Sequence, residues 1–130
     1  MGAMLVRHEP TSASAVRREL ALDLELHGFD DESVDTVTLV ASELVGNAIR
    51  HAGIADHGEL DVGWTVGAGE VYLSVEDPSS ELPRRRYVTP DSPGGRGLAI
   101  VEALTAEWGV DLTPRGKRVW AKLPVKPQAA

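Results

Sequence analysis

Apolar positions recur along this chain with two different periods, and the switches between them mark its elements. Over 11–28, Val16, Leu20 and Leu24 share one helical face, Ser12 and Ser14 suit a helix start, and Gly28 suits its end. Leu20, Leu22, Leu24 and Leu26 also alternate as in a strand, so this segment carries both signals, with helix preferred. After Asp30-Asp31-Glu32-Ser33 comes a long stripe of Val34, Val37, Ala41, Leu44, Val45, Ala48 and Ala52. That spacing predicts a central helix over 33–52, with acidic residues at the positive end of its dipole and Gly53 to stop it. Leu60, Val62, Trp64 and Val66 then alternate with polar residues or glycine, as do Val71, Leu73 and Val75. Gly67-Ala68-Gly69 between them predicts an antiparallel hairpin. Residues 78–93 have no period and hold four prolines and the Arg84-Arg85-Arg86 run. A structureless stretch of that length in a small domain is commonly functional or disordered. A third helix is expected over 97–104. A second hairpin follows, Trp108 to Leu112 and Val119 to Leu123, around Pro114-Arg115-Gly116.

The order is helix, helix, two strands, long loop, helix, two strands. Hairpin-length connections and intervening helices predict an α+β two-layer sandwich, a mainly antiparallel sheet with helices on one face. The domain is expected over 11–124, preceded by a short segment without an element and followed by a loose tail over 125–130. Met1 and Met4 together suggest that residues 1–3 are an extension ahead of a start at Met4.

Composition narrows the classes. The chain has 130 residues, 42% hydrophobic and 25% charged, which fits one globular domain. It has no cysteine, which removes disulfides, cysteine zinc sites and thiol catalysis. Its net charge of −7 argues against a protein that tracks a nucleic-acid backbone by charge, and no recognition-helix pattern is present. Its apolar runs are short of the eighteen or so residues of a membrane span, and its start lacks the order of a signal peptide. A cytoplasmic protein with neither nucleic acid nor membrane as partner is expected.

Several residue types suggest chemistry. Glu43 and Asn47 lie four apart on the flank of the central stripe. There a carboxylate can take a proton or orient a water, and an amide oxygen is a hard ligand for magnesium. A solvated helix pair has the same spacing. Arg50 and His51 follow on that helix, within reach of a phosphate, although cations at a helix end also serve its dipole. Gly94-Gly95-Arg96-Gly97 precedes the third helix, where backbone amides can cradle a phosphate or merely form a turn. Asp77 ends a strand, as a turn cap or as an acceptor for an exocyclic amine. Trp64, Trp108 and Trp120 sit in strand patterns and are expected in the core.

Taken in order, these segments resemble the GHKL ATPase superfamily, whose fold is the Bergerat ATP-binding fold. Glu43-Leu44-Val45-Gly46-Asn47-Ala48-Ile49-Arg50-His51-Ala52 resembles its N box, Val75-Glu76-Asp77 the start of its first glycine box, and Gly94-Gly95-Arg96-Gly97-Leu98-Ala99-Ile100-Val101 its second. Trp108-Gly109-Val110 and Lys117-Arg118-Val119-Trp120-Ala121-Lys122-Leu123 resemble the branch of stand-alone anti-sigma factor serine/threonine kinases. The resemblance implies ATP and magnesium as cofactors. It implies that Asn47 holds the metal, Glu43 acts as general base or orienting carboxylate, and Asp77 accepts the adenine amine. Arg50, His51, Gly95, Arg96, Gly97 and Leu98 would line the phosphates, and 78–93 would be a lid. The implied partners are a sigma factor and an anti-sigma factor antagonist, with a homodimer left open.

One segment departs from the family. The first glycine box continues Asp-x-Gly-x-Gly, whereas this chain reads Asp77-Pro78-Ser79-Ser80-Glu81-Leu82-Pro83. Glu43 favours a kinase; the missing glycines favour a protein-binding module of the same fold in which ATP is structural or absent.

Overall fold

The structure is a computed structural model that describes residues 2–7, 9–51, 59–78 and 93–129, with only the backbone described for 50–51 and 93–98. Five strands and three helices are formed by these residues in the order β1 (Gly2–Arg7), α1 (Thr11–Leu26), α2 (Asp31–His51), β2 (Glu59–Val66), β3 (Glu70–Asp77), α3 (Pro93–Leu104), β4 (Glu107–Leu112) and β5 (Lys117–Pro124). The strands form one sheet in the order β1-β2-β3-β5-β4, and every neighbouring pair is antiparallel. The expected α+β sandwich is therefore the fold observed.

Strand alternation decides which side of the sheet is covered. Leu60, Val62 and Trp64 of β2, Val71, Leu73 and Val75 of β3, and Val119, Ala121 and Leu123 of β5 all point to one buried face. The buried residues of α1 and α2 meet it: Val16, Leu20 and Leu24 from the first helix, and Val34, Val37, Val40, Ala41, Leu44, Val45 and Ala48 from the second. At roughly 1.5–3 kcal/mol for each fully buried large aliphatic side chain, this interface dominates the stability of the domain. α2 is the central helix, packed against α1 on one side and α3 on the other. The competing strand signal in the first helix is resolved by burial, since Leu22 and Leu26 are exposed while Leu20 and Leu24 are not.

The helix ends explain the boundaries. α1 begins after Pro10 with no side-chain cap, and the Ser12 hydroxyl instead donates to the Arg7 carbonyl at 2.7 Å. It closes at Gly28, whose φ of +81° favours glycine. α2 is capped by Asp30, whose Oδ1 accepts the Ser33 amide at 2.8 Å. The side-chain and backbone hydrogen bonds of Ser33, with help from Lys126, hold the Asp30 carboxyl below its ordinary value.

Both chain ends differ from expectation. Residues 2–7, which had no assigned element, pair as β1 along β2, with Gly2 opposite Trp64 and Arg7 opposite Glu59. Residues 125–128, expected as a loose tail, are docked. The Val125 amide donates to Gly69, the Lys126 amide to Ser33 Oγ, and the Gln128 amide to Gly28. Both stretches are too short to carry a clear period, so their docking through backbone bonds was invisible in the pattern. The tryptophans also divide. Trp64 is in the core and donates to Asp23 Oδ2 at 2.7 Å, and Trp108 packs against the core. Trp120 lies on the opposite sheet face, stacked with Tyr72 at 6.1 Å, because it has the other parity from Val119 and Ala121.

Candidate functional site

On α2 the apolar stripe is broken by one amide. Asn47 is only 4% exposed, and its Oδ1 is buried with no hydrogen-bond partner among the described residues. A lone carbonyl oxygen in that state costs about 1–3 kcal/mol, so it marks an interaction not made within the described residues. Its oxygen suits a hard cation such as magnesium, which commonly takes few protein ligands and completes its shell with phosphates and waters. Among the described residues no cluster of three or more histidine, aspartate or glutamate side chains could hold a metal ion by itself. Glu43 lies one turn before Asn47 and is half-buried. Arg50 and His51 close the same helix, with side chains outside the described residues.

At the end of β3 the alternation that buries Val71, Leu73 and Val75 also buries Asp77, and the alternation of β5 buries Lys117 before Val119. The register sets these two residues opposite each other. Their charged groups meet at 3.6 Å, with Asp77 1% and Lys117 2% exposed. A carboxylate this deep is strongly disfavoured without a cation beside it, and Lys117 supplies one. The neighbouring residue, Glu76, faces the other side of the sheet between Arg115 at 3.6 Å and Arg118 at 3.1 Å. Arg115 also donates to the Glu59 carbonyl. The β4–β5 turn is thus fastened to the strand end that carries Asp77. Gly116 makes this close approach possible, because a Cβ there would collide with the backbone of Asp77 and Pro78.

The third expected component is displaced. α3 starts at Pro93, not near residue 97, so the glycines form its first turns. Proline is favoured at the first helical position because the amide it lacks would have no partner there. In a helix that starts there, the amides of Gly94 and Gly95 are without intrahelical partners, whereas those of Gly97 and Leu98 fall inside the helical ladder. The side chains of Arg96 and Leu98 lie outside the described residues, as do residues 79–92 of the lid expected over 78–93.

Sequence reasoning missed Lys117. The signal was present, because a two-residue period through Leu123, Ala121 and Val119 continues onto Lys117 and assigns it the buried face.

Comparisons with known proteins fit this arrangement. The serine-protein kinase RsbW of Oceanobacillus iheyensis is 27% identical over 114 residues, covering 78% of this chain and 72% of that protein. The structure of the RsbU and RsbW domains of a Mycobacterium tuberculosis protein matches 98% of this chain with a TM-score of 0.74 and 22% identity. This chain spans 32% of that structure. The histidine kinase domain of a blue-light activated histidine kinase from Erythrobacter litoralis matches 72% of this chain, and 45% of its own length, with a TM-score of 0.53 and 24% identity. These two structures share the fold. No helix among the described residues is long and apolar enough to cross a membrane. The profile of the histidine kinase-like ATPase domain family matches residues 6–123, nearly the whole sequence, and the chain belongs to that family.

Proposed function

We propose that this protein binds ATP with magnesium and transfers the γ-phosphoryl group to a serine or threonine of an anti-sigma factor antagonist, while also sequestering a sigma factor. The observation that carries the nucleotide part is the orphaned Oδ1 of Asn47, on the helix whose sequence resembles the N box. The magnesium ion, when bound, neutralises phosphate charge. Asn47 would be its ligand from the protein. Asp77 would accept the amine of adenine, and Arg50, His51 and Arg96 would complement the phosphates, together with the free amides at the start of α3. The serine kinase named among the relatives supports the transfer reading. A cytoplasmic setting and self-association into a homodimer belong to the same proposal.

The chemistry assigned to the chain is small and local. Glu43 takes the proton of the incoming hydroxyl, the oxygen forms a bond to the γ-phosphorus, and the bond to the bridging oxygen of ADP breaks. A carboxylate near the γ-phosphate repels the ground-state nucleotide and acts as the proton moves. Glu43→Ala should therefore reduce transfer by roughly a hundredfold or more and leave ATP affinity within about tenfold. The assay is transfer of labelled γ-phosphate to a candidate antagonist, beside calorimetric titration with ATP, with and without magnesium. Wild-type protein that binds ATP but transfers nothing to any antagonist of its host would favour the second reading, a non-catalytic binding module. Pro78-Ser79-Ser80, in place of the family's glycines, is the feature on that side.

A further inference from the structure

The pair formed by Asp77 and Lys117 is more than a buried ion pair that the fold tolerates. Asp77 is the residue to which the proposed function gives contact with the base, and the inference below rests on that reading. Its carboxyl group is almost wholly excluded from solvent, on the same sheet face as the apolar core. The ammonium group of Lys117 lies directly across the register, 3.6 Å away, and holds the carboxylate in place from one side. An ionised carboxylate only accepts. It therefore attracts an N–H donor and repels a carbonyl oxygen.

Lys117 is itself held in place. It is the first residue of β5, next to Gly116, whose missing side chain lets the turn lie against the backbone of Asp77 and Pro78. Arg115 and Arg118, on either side of it, grip Glu76, the residue before Asp77. The cation, the carboxylate and the strand end are thus fastened together.

We infer that Lys117 is a specificity-determining positioning residue: it holds the carboxylate of Asp77 where it can accept from an exocyclic amine, so that the site selects purines with that amine over purines with a carbonyl in its place. Lys117 acts through Asp77 and need not touch the nucleotide.

The experiment compares ATP with inosine triphosphate, which has the same ribose and phosphates but a carbonyl in place of the amine and a proton on N1. Calorimetric affinities are measured for the wild type, Lys117→Met and Lys117→Gln; the glutamine variant keeps a donor beside Asp77 and serves if the methionine variant does not fold. Wild type should prefer ATP by roughly tenfold or more, the scale of a charged hydrogen bond gained or lost. In the folded variants the preference should shrink to about threefold or less, because a carboxylate no longer held in place gives up the bond that only the amine makes. A purely structural lysine would lower stability, or lower both affinities in proportion, and leave the ratio unchanged. An unchanged ratio in a folded variant, or a wild type that binds ATP and inosine triphosphate equally, overturns the inference while leaving ATP binding intact. A wild type that binds neither nucleotide overturns the nucleotide reading itself, and this inference with it.

Discussion

At the end of β3, Asp77 meets a cation inside the fold, Lys117 at 3.6 Å. On α2, Asn47 is almost as deeply buried, yet its Oδ1 has no hydrogen-bond partner among the described residues. The first residue belongs to a piece assembled by strand register and by the turn clamped beneath it, and folding completes its electrostatics. The second belongs to a helix whose neighbours leave an oxygen uncompensated, and only something outside the described residues can complete it. On the proposed function, the base end of the site is organised before a nucleotide arrives, whereas the phosphate end stores an unmade interaction. A group satisfied within the fold should cost stability when its partner is removed. A group kept for a ligand should cost binding but little or no stability.

The largest effect should come from breaking the satisfied pair. Lys117→Met leaves a carboxylate buried without its cation, and such changes cost about 3–5 kcal/mol. Removing both charges in Asp77→Asn/Lys117→Met should recover most of that loss, because the penalty comes from the uncompensated charge and not from the missing lysine contacts. Urea denaturation of the two variants and the wild type checks this. Equal losses in the single and double variants would mean that the lysine acts through packing alone.

Asn47 should behave in the opposite way. Asn47→Leu keeps the branching and number of heavy side-chain atoms and removes an oxygen that no described residue satisfies, so stability should stay the same or rise by up to about 1 kcal/mol. The same variant should lose the strengthening of ATP binding by magnesium, worth about 1–3 kcal/mol in the wild type if the amide is the ligand. Denaturation without nucleotide and titration with and without magnesium separate the two effects. A clear loss of stability with unchanged magnesium dependence would remove Asn47 from the site.

The two residues also differed in how readily the sequence revealed them. Asn47 could be found because it lies on the flank of a long helical stripe, four residues after a carboxylate. The central helix was legible for the same reason. Lys117 was hidden because it opens β5 just before the apolar alternation, next to a turn, where a lysine normally reads as surface. Its buried face follows from the two-residue period read back from Leu123, but its partner depends on the register with β3, a non-local pairing that no local period reports. The start of α3 was hidden for another reason: a run of glycines has low helix propensity, and Pro93 at the first position outweighs it only through the amide it lacks. β1 and the docked C-terminal residues depend on backbone partners far away in sequence, Glu59 to Trp64 for one and Gly28, Ser33 and Gly69 for the other.

The smallest effect sharpens the comparison within α2 itself. Asp30, at the start of the helix, is the counterpart of Asn47: its Oδ1 already accepts the Ser33 amide, and Lys126 lies close enough to stabilise its charge. Asp30→Asn keeps a capping oxygen and removes only the charge. Because the carboxyl is held below its ordinary value of 3.8 in the folded chain, its charge contributes stability that is fully present above that value. The contribution is lost as pH falls through the lower, folded value. Wild type should therefore exceed Asp30→Asn slightly in stability at neutral pH, and the difference should shrink as acid is added below about 3.8. Thermal denaturation of both proteins across that range measures it. A difference that stays constant with pH would mean that the Ser33 bonds serve the cap without favouring the charge, and that this end of the helix is held by geometry alone.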